Sequence, residues 1–298
     1  MASASEQPLV HRQATVAVAS TCEVGESPLW DGETGRLLWV DIPAGEIYAH
    51  EPLTGNTAST QLDDAVGFVV ARRCGGYVSG TATGLVALDA DLRVVSELGS
   101  PPDLEGRRIN DGTCDPAGRV LFGTVVPGRG GTGSLWSLSP DGRFAELATG
   151  VQMSNGLAFS PNGRWLYYVD TLTQRVDRFE YDVATGALAD RHALCEIPED
   201  VGLPDGLAVD ADGGLWLAIW GSGEVWRIAE HGDHRETVAV SAQRPSSCAF
   251  GGANWDRLYI TTAASGGAEQ PSSKDLHAGA VFAADVGVRG GPVWTADL

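Results

Sequence analysis

The heptapeptide PDGLAVD occupies residues 204–210, and SNGLAFS at residues 154–160 repeats its pattern. Both stretches contain a polar residue, a small residue, an apolar run and then a turn-forming residue five positions after the polar one. Asp205 and Asn155 hold the polar position. If the two stretches are equivalent parts of one repeated unit, their polar side chains are expected to converge in space.

Fainter copies of this pattern recur along the chain at intervals of 40, 44, 45, 50 and 41 residues. The six segments are ESPLWD from Glu26, VGFVVA from Val66, NDGTCD from Asn110, NGLAFS from Asn155, DGLAVD from Asp205 and SSCAFG from Ser246. Each is followed by turns rich in Gly, Asp, Asn and Pro and by further runs of Val, Leu, Trp, Tyr and Phe. Such an arrangement is typical of short antiparallel strands.

A period in the forties with about four strands per unit is the sequence signature of a β-propeller. We therefore predict an all-β, six-bladed β-propeller of four-stranded antiparallel blades, with residues 1–298 forming one domain. A propeller must close its ring, and the strand TVAVAS (15–20) is expected to complete the last blade. Residues 1–14 are predicted to form a flexible N-terminal tail.

Composition and charge exclude several classes of function. Hydrophobic residues make up 43% of the chain, which is enough for a core, and 20 basic against 39 acidic residues give a net charge of −19. So acidic a surface repels phosphate backbones and anionic lipid, and neither a nucleic-acid nor a membrane partner is expected. The five scattered cysteines contain no CxxC pair, and no signal peptide or long apolar run is evident. The chain is predicted to be soluble and cytoplasmic.

The repeat alignment also predicts a site. The first strand of each propeller blade lines the central channel, so equivalent residues of the six blades form a ring at one mouth. Two carboxylates and two amides in this ring would offer oxygen ligands suited to calcium, magnesium, manganese or ferrous iron. Asp205 and Asn155, taken singly, are also ordinary turn residues before glycine. Glu26 is not a usual turn residue, and its presence in the same position favours a metal site.

Arg108 precedes the ring residue Asn110 by two positions. Its planar guanidinium would suit an oxyanion or a hydroxylated substrate, although a surface location within the tandem pair Arg107–Arg108 is an equal alternative. The sequence contains no GxSxG, P-loop or HExxH motif, so a nucleophile elbow, a nucleotide cradle and a zincin helix are unsupported.

The motifs together resemble the SMP-30/gluconolactonase family, which includes regucalcins, gluconolactonases and bacterial aldono- and pentonolactonases. They follow the family order from about residue 16 to residue 286. The matching stretches are GESPLWD (25–31), RINDGTCDPAGRVLFGT (108–124), MSNGLAFSPNG (153–163), LPDGLAVDADGGLWLA (203–218) and RPSSCAFGG (244–252).

The resemblance implies a six-bladed propeller with one divalent cation, such as Ca, Zn, Mn, Mg or Fe(II), near the central channel. The metal-binding Glu, Asn and Asp of the family correspond to Glu26, Asn155 and Asp205. Its substrate-contacting Arg and Asn correspond to Arg108 and Asn110. The stretch VVPGRGGTG that follows the GT of blade 3 has no acidic residue, unlike animal members, which favours a sugar lactonase of the bacterial type.

We therefore predict a metal-dependent hydrolase that opens a sugar lactone, such as gluconolactone or a pentonolactone, to the aldonic acid. Asp205 is the candidate general base as well as a ligand. The alternatives are a non-catalytic calcium- or sugar-binding propeller and a hydrolase of another ester, such as a phosphotriester or an acyl-homoserine lactone. A lipophilic substrate would require an apolar rim, for which Trp220 and Phe68 are the candidates. A protein-interaction propeller would leave the two carboxylates unexplained.

Overall fold

The computed structural model describes residues 9–128, 130–265 and 275–298. Within these residues the chain forms 25 strands in six sheets, and its only helix is the short 3-10 turn η1 (Thr171–Thr173). Five sheets have four strands and one has five. The six-bladed all-β propeller that the repeat predicts is therefore confirmed. In the part of the chain described, no helix is long and apolar enough to cross a bilayer.

Each repeat forms one blade, with its first strand at the central channel and the later strands further out. The strands β1 (Val10–Gln13) and β2 (Thr15–Val18) precede the repeats and join blades 5 and 6. Blades 1 to 3 consist of β3 (Gly25–Asp31), β4 (Arg36–Asp41), β5 (Glu46–Glu51), β6 (Asn56–Gln61), β7 (Val66–Ala71), β8 (Tyr77–Thr81), β9 (Leu85–Leu88), β10 (Val94–Gly99), β11 (Arg108–Cys114), β12 (Val120–Val125), β13 (Gly133–Leu138) and β14 (Phe144–Val151). Blades 4 to 6 consist of β15 (Ser154–Phe159), β16 (Trp165–Asp170), β17 (Arg175–Asp182), β18 (Ala187–Glu196), β19 (Leu203–Val209), β20 (Leu215–Trp220), β21 (Glu224–Ile228), β22 (His234–Ala239), β23 (Pro245–Gly251), β24 (Arg257–Thr262) and β25 (Val281–Asp285).

The hydrophobic core lies between the blades. The second strand of a blade is buried on both faces because it packs between two neighbours, so its apolar run is continuous rather than alternating. In β4, Leu37, Leu38 and Trp39 are all fully buried. The outer strand β6, NTASTQ, is polar and mostly exposed. This gradient from an apolar inside to a polar edge directs each repeat to fold as a radial blade.

The ring closes through the N-terminal segment, as the sequence predicts. Strand β2 pairs antiparallel with β25, and Thr15 lies opposite Ala283. Innermost strands of consecutive blades contact one another, and β23 of blade 6 contacts β3 of blade 1. The two ends of the repeat array are thus held together by one mixed blade.

The prediction of a flexible tail over residues 1–14 is wrong for the last part of that segment. Residues 10–13 form β1, which pairs in parallel with β22 and gives blade 5 a fifth strand. The outer edge of a blade presents unpaired backbone N–H and C=O groups, and this polar segment satisfies some of them while Arg12 forms an ion pair with Glu236. The strand escapes notice in the sequence because VHRQ has no apolar alternation. Residues 1–8 lie outside the described part of the chain.

A C-terminal strap, residues 289–298, runs across the end of the channel opposite the ring. The N–H of Gly291 donates to the carbonyl of Val209 at the far end of β19, and the N–H of Ala296 donates to that of Ala71 at the far end of β7. A cavity of about 150 Å³ remains in the channel between the ring and the strap. The strap therefore links blades 5 and 2 at the end of the channel opposite the ring.

Innermost strands of neighbouring blades approach so closely that only glycine fits at some positions. A Cβ on Gly156 would lie 2.5 Å from the backbone oxygen of Asp205 in the next blade. We expect Gly156→Ala to lower the free energy of unfolding by about 1–3 kcal/mol. At Gly130 a Cβ meets nothing within 4 Å, so Gly130→Ala should stay within about 0.5 kcal/mol of wild type. Urea unfolding measures both, and equal stabilities would contradict the close approach of blades 4 and 5.

Candidate metal centre

The repeated polar residues lie at the channel mouth, where the innermost strands begin. In all six innermost strands an irregularity in register interrupts the pairing at this level. It falls between Glu26 and Leu29 in β3 and between Pro204 and Leu207 in β19. A bulge bends a strand and re-aims its side chains. The same device in every blade brings the repeated polar side chains together at one end of the channel.

Glu26 is held in place by a strained neighbour. Ser27 has φ of 47°, a left-handed conformation that is costly for a residue with a Cβ. Its N–H donates to Glu26 Oε2 at 2.8 Å, and its hydroxyl accepts from the N–H of Val69 in blade 2 at 3.1 Å. These bonds hold the strained turn in place and fix the Glu26 carboxylate before any ligand binds.

Glu26 and Asp205 lie near each other in the structure, although they are 179 residues apart in the chain. Each is only 5% exposed, and burial raises the pKa of both carboxyls well above their usual range. The negative charge of Asp205 raises the pKa of Glu26 further. Asp205 Oδ1 is fully buried and has no hydrogen-bond partner among the described residues. The two carboxylates therefore repel each other, and Asp205 Oδ1 lacks a hydrogen-bond donor. A bound cation would reduce the repulsion and bind this oxygen.

A third carboxylate, Asp111, belongs to the same cluster and is missing from the sequence prediction. It is 8% exposed, and burial raises its pKa to about 7 although the N–H of Gly112 donates to its Oδ1 at 2.7 Å. Its charge also raises the pKa of Glu26 and of Asp205. A signal existed in the repeat, because the residue after the polar position is Gly or Ser in the other five segments. An aspartate there is the exception.

Two amides complete the ring. Asn110 Nδ2 donates to the carbonyl of Ser154 at 2.6 Å and to Asn155 Oδ1 at 3.3 Å. Asn155 Nδ2 in turn donates to Thr171 Oγ1 at 3.0 Å. Both hydrogens of the Asn110 amide are thus committed within the protein, so Asn110 offers only its Oδ1, an acceptor, to a ligand. Thr171 is a second residue that the repeat alignment does not indicate.

Arg108 contributes positive charge near Glu26. It begins β11 and is half-buried. Burial lowers the pKa of its guanidinium, and the negative charge of Glu26 opposes this shift by favouring the protonated form. Among the described residues its side chain makes one hydrogen bond, from Nη1 to the carbonyl of Ile109 at 3.3 Å. Most of the guanidinium donors therefore remain available to a ligand near the carboxylates.

The donor set fits a hard divalent cation. Two carboxylates and a neutral amide oxygen are ligands of the type that calcium, magnesium and manganese take in proteins. Within the described ranges, no group of three or more His, Cys, Asp and Glu side chains is arranged to hold a metal. The candidate ligands are accordingly the mixed set Glu26, Asn155 and Asp205, with Asp111 as a nearby additional charge.

One of the two candidate rim residues is excluded by the structure. Phe68 is fully buried and packs with Ile109 and Phe122 between blades 2 and 3. A register shift between Val66 and Phe68 accompanies this placement. The aromatic side chain of Phe68 lies in the interface between the two blades and not at the channel mouth. Trp220, at the end of β20, is half-buried. Of the two residues considered for the apolar rim that a lipophilic substrate would need, only Trp220 remains a candidate.

Residues 24–264 match the family described as SMP-30/Gluconolactonase/LRE-like region. The chain belongs to this family. A regucalcin from Oryctolagus cuniculus is 35% identical over 283 residues, which cover 92% of this chain and 95% of that protein. The family relationship therefore extends along nearly the full length of the chain, as the order of the sequence motifs predicts.

Two solved structures share the fold. A luciferin-regenerating enzyme superposes with a TM-score of 0.89 and 28% identity, covering 96% of this chain and 100% of its own. A calcium-binding protein, regucalcin from Agrobacterium tumefaciens strain C58, gives a TM-score of 0.90 at 24% identity, with 98% and 100% coverage. At that identity the second likeness speaks for the fold alone.

The buried carboxylates predict an unusual pH dependence for the cation-free protein. The pKa of Asp111 is raised from 3.8 to about 7, and those of Glu26 and Asp205 change in the same direction. Groups whose folded pKa is raised contribute stability that is full below about pH 4 and is lost as the pH rises through 7. Each tenfold change in a proton-binding constant corresponds to about 1.4 kcal/mol, so the loss is on the order of a few kcal/mol.

We therefore expect chelator-treated protein to unfold at a lower temperature at pH 8 than at pH 5, with a smaller difference in Asp111→Asn. Thermal unfolding followed by circular dichroism measures both. A variant that loses as much stability as wild type between these pH values would contradict the assignment to Asp111.

Proposed function

We propose that the protein is a divalent-metal-dependent lactonase that opens a sugar lactone, such as gluconolactone or a pentonolactone, to the aldonic acid. The observation that carries this proposal is the buried, unpartnered Oδ1 of Asp205 beside a second carboxylate and a guanidinium at one polar mouth. The family description, which includes gluconolactonases, supports the same class of reaction. The small-molecule lactone is the proposed partner.

Glu26, Asn155 and Asp205 are the residues that would hold one divalent cation (calcium, zinc, manganese, magnesium or ferrous iron). When bound, such a cation supplies Lewis-acid stabilisation of negative charge on an ester carbonyl oxygen. The Ser27 N–H fixes the Glu26 carboxylate, and the Asn110 amide donates to Asn155 Oδ1. The site is therefore organised before the cation arrives, which reduces the cost of binding.

Asp205 is the proposed general base. It accepts a proton from a water molecule while the water oxygen bonds to the lactone carbonyl carbon. The ring C–O bond then breaks, and the proton passes to the ring oxygen, which leaves as a hydroxyl group on the same molecule. Burial and the charge of Asp111 raise the pKa of Asp205, so its ionised form is a stronger base than an exposed aspartate.

Arg108 and Asn110 are the proposed substrate contacts, and their hydrogen bonds favour complementary roles. The free donors of the Arg108 guanidinium suit sugar oxygens and the negative charge that develops during attack. Because its amide hydrogens are used by Ser154 and Asn155, Asn110 would accept a hydrogen bond from a sugar hydroxyl. A donor at Arg108 and an acceptor at Asn110, two residues apart on β11, favour a polyhydroxylated substrate over a lipophilic one.

A panel of esters tests this assignment. Purified protein supplied with each divalent cation is assayed by acid release on gluconolactone, pentonolactones, an acyl-homoserine lactone and a phosphotriester. We expect the sugar lactones to be hydrolysed most rapidly. Preference for the acyl-homoserine lactone or the phosphotriester would replace the substrate class, and cation binding without turnover of any ester would favour a non-catalytic propeller.

A further inference from the structure

Thr171 lies between blades 4 and 5 and contacts the candidate metal site from both. It is 3% exposed and begins η1 directly after β16. Its hydroxyl lies 3.0 Å from Asn155 Nδ2 in its own blade and 2.9 Å from the carbonyl oxygen of Pro204 in blade 5. Pro204 is the residue before Asp205. One side chain therefore connects two of the three candidate ligands.

The single proton of the hydroxyl determines how the neighbouring amide is oriented. A backbone carbonyl can only accept, so the Thr171 proton must point to the oxygen of Pro204. Toward Asn155 the hydroxyl then has only lone pairs, and it requires the NH2 group of the amide on that side. Asn155 Oδ1 is consequently turned away from Thr171 and toward the ring, where Asn110 Nδ2 donates to it.

This orientation matters because the two ends of an amide have opposite polarity. Asn155 Oδ1 uses one lone pair for Asn110, and the second is left for a cation. With the amide reversed, two N–H groups would face the ring, and they would repel a cation rather than bind it. The Thr171 hydroxyl is the group that distinguishes the two orientations at the Nδ2 end.

The hydroxyl is itself rigidly placed by the main chain. The N–H of Thr171 donates to the carbonyl of Met153 at 3.0 Å. The preceding carboxylate, Asp170, accepts from the N–H groups of Gln152 at 3.0 Å and of Met153 at 2.8 Å. The loop that leads into Asn155 and the turn that carries Thr171 therefore form one hydrogen-bonded unit.

We propose that Thr171 is a positioning residue for the cation site. Its hydroxyl orients the Asn155 amide with Oδ1 toward the ring and ties it to the backbone that carries Asp205. The inference rests on the proposed function, because it gives the Asn155 oxygen the role of a cation ligand. It assigns to Thr171 no contact with substrate.

Cation affinity, measured by isothermal titration of chelator-treated protein, tests the proposal without recourse to activity. Thr171→Val preserves the shape of the side chain and removes the hydroxyl, and we expect about 10- to 100-fold weaker binding. Thr171→Ser keeps the hydroxyl and should bind nearly as tightly as wild type. Thr173→Val is the matched control, because that hydroxyl donates only to the Asp170 carbonyl at 2.8 Å, and its effect should be within about twofold.

The route through Asn155 is tested by a double-mutant cycle. In an Asn155→Ala background, Thr171→Val is expected to change cation affinity by no more than about twofold. Unfolding temperatures show that each variant is folded, and Thr171→Ala, with the same expected loss, replaces the valine variant if that one does not fold.

Three results would overturn the proposal while leaving the proposed function intact. They are an unchanged affinity in the variant without the hydroxyl, an equal loss in Thr171→Ser, and a full loss that persists in the Asn155→Ala background. Wild-type protein that binds no divalent cation would contradict the proposed function itself, and the positioning role would fall with it.

Discussion

Replacing Glu26 with Gln is expected to weaken divalent-cation binding by at least about 100-fold. Substitutions outside the ligand sphere of a metal already cost up to that amount, and Glu26 supplies one of only two carboxylates in the candidate set. The substitution keeps the size of the side chain and removes its charge. Titration calorimetry of chelator-treated protein measures the loss, and Glu33→Gln, at an exposed turn of the same blade, is the control.

The same variant separates loss of a ligand from loss of the fold. Burial and two neighbouring carboxylates raise the pKa of Glu26, so its ionised form destabilises the cation-free protein. At pH 8 the cation-free Glu26→Gln protein should therefore unfold at a higher temperature than cation-free wild type. Weaker binding together with higher intrinsic stability is the expected signature. Unchanged cation affinity in this variant would remove Glu26 from the ligand set.

Replacing Asp205 with Asn is expected to lower kcat for lactone opening by about 10²- to 10⁴-fold, the range that a general base contributes. The asparagine amide still has an oxygen that can take the place of the unpartnered Asp205 Oδ1, but it cannot accept a proton from water at neutral pH. Assays at saturating cation keep the loss of the base distinct from weaker metal binding. Asp212→Asn, at an exposed turn of the same blade, should keep wild-type turnover.

A pH profile makes the role of Asp205 specific. With wild type, kcat/KM should fall on the acidic side as the base is protonated, and this limb should be absent from the residual activity of Asp205→Asn. If the variant retains wild-type kcat at saturating cation, another group must accept the proton. Asp111 would then be the next candidate, since it lies in the same cluster.

The six-fold repeat made most of this structure accessible from the sequence. Turn residues and apolar runs recur at intervals of 40–50 residues, and such a period leaves few folds other than a propeller. Alignment of the repeats then placed Glu26, Asn155 and Asp205 at equivalent positions, and equivalent residues of radial blades are expected to converge. Taken alone, Asp205 resembles a turn residue before glycine. Only the alignment with the other repeats predicts a metal ligand at this position.

What the sequence did not indicate depends on contacts that break the repeat. Asp111 occupies a position that is Gly or Ser in every other blade, and it is evident only as an exception. Thr171 acts from a loop between strands, where the repeat has no fixed residue type. Strand β1 and the strap at residues 289–298 lie outside the repeats altogether, so no periodic signal marks them. The expectation for Phe68 is wrong because a register shift of one residue changes which face a side chain occupies.

Turnover during a cation titration tests the central claim most directly. Chelator-treated protein at known concentration receives a divalent cation in steps, while gluconolactone or pentonolactone opening is followed by acid release. One cation held by Glu26, Asn155 and Asp205 predicts no turnover at the start and a linear rise that stops at about one equivalent. Full turnover in the chelator-treated protein, or none at saturating cation with any of the sugar lactones, would contradict the account.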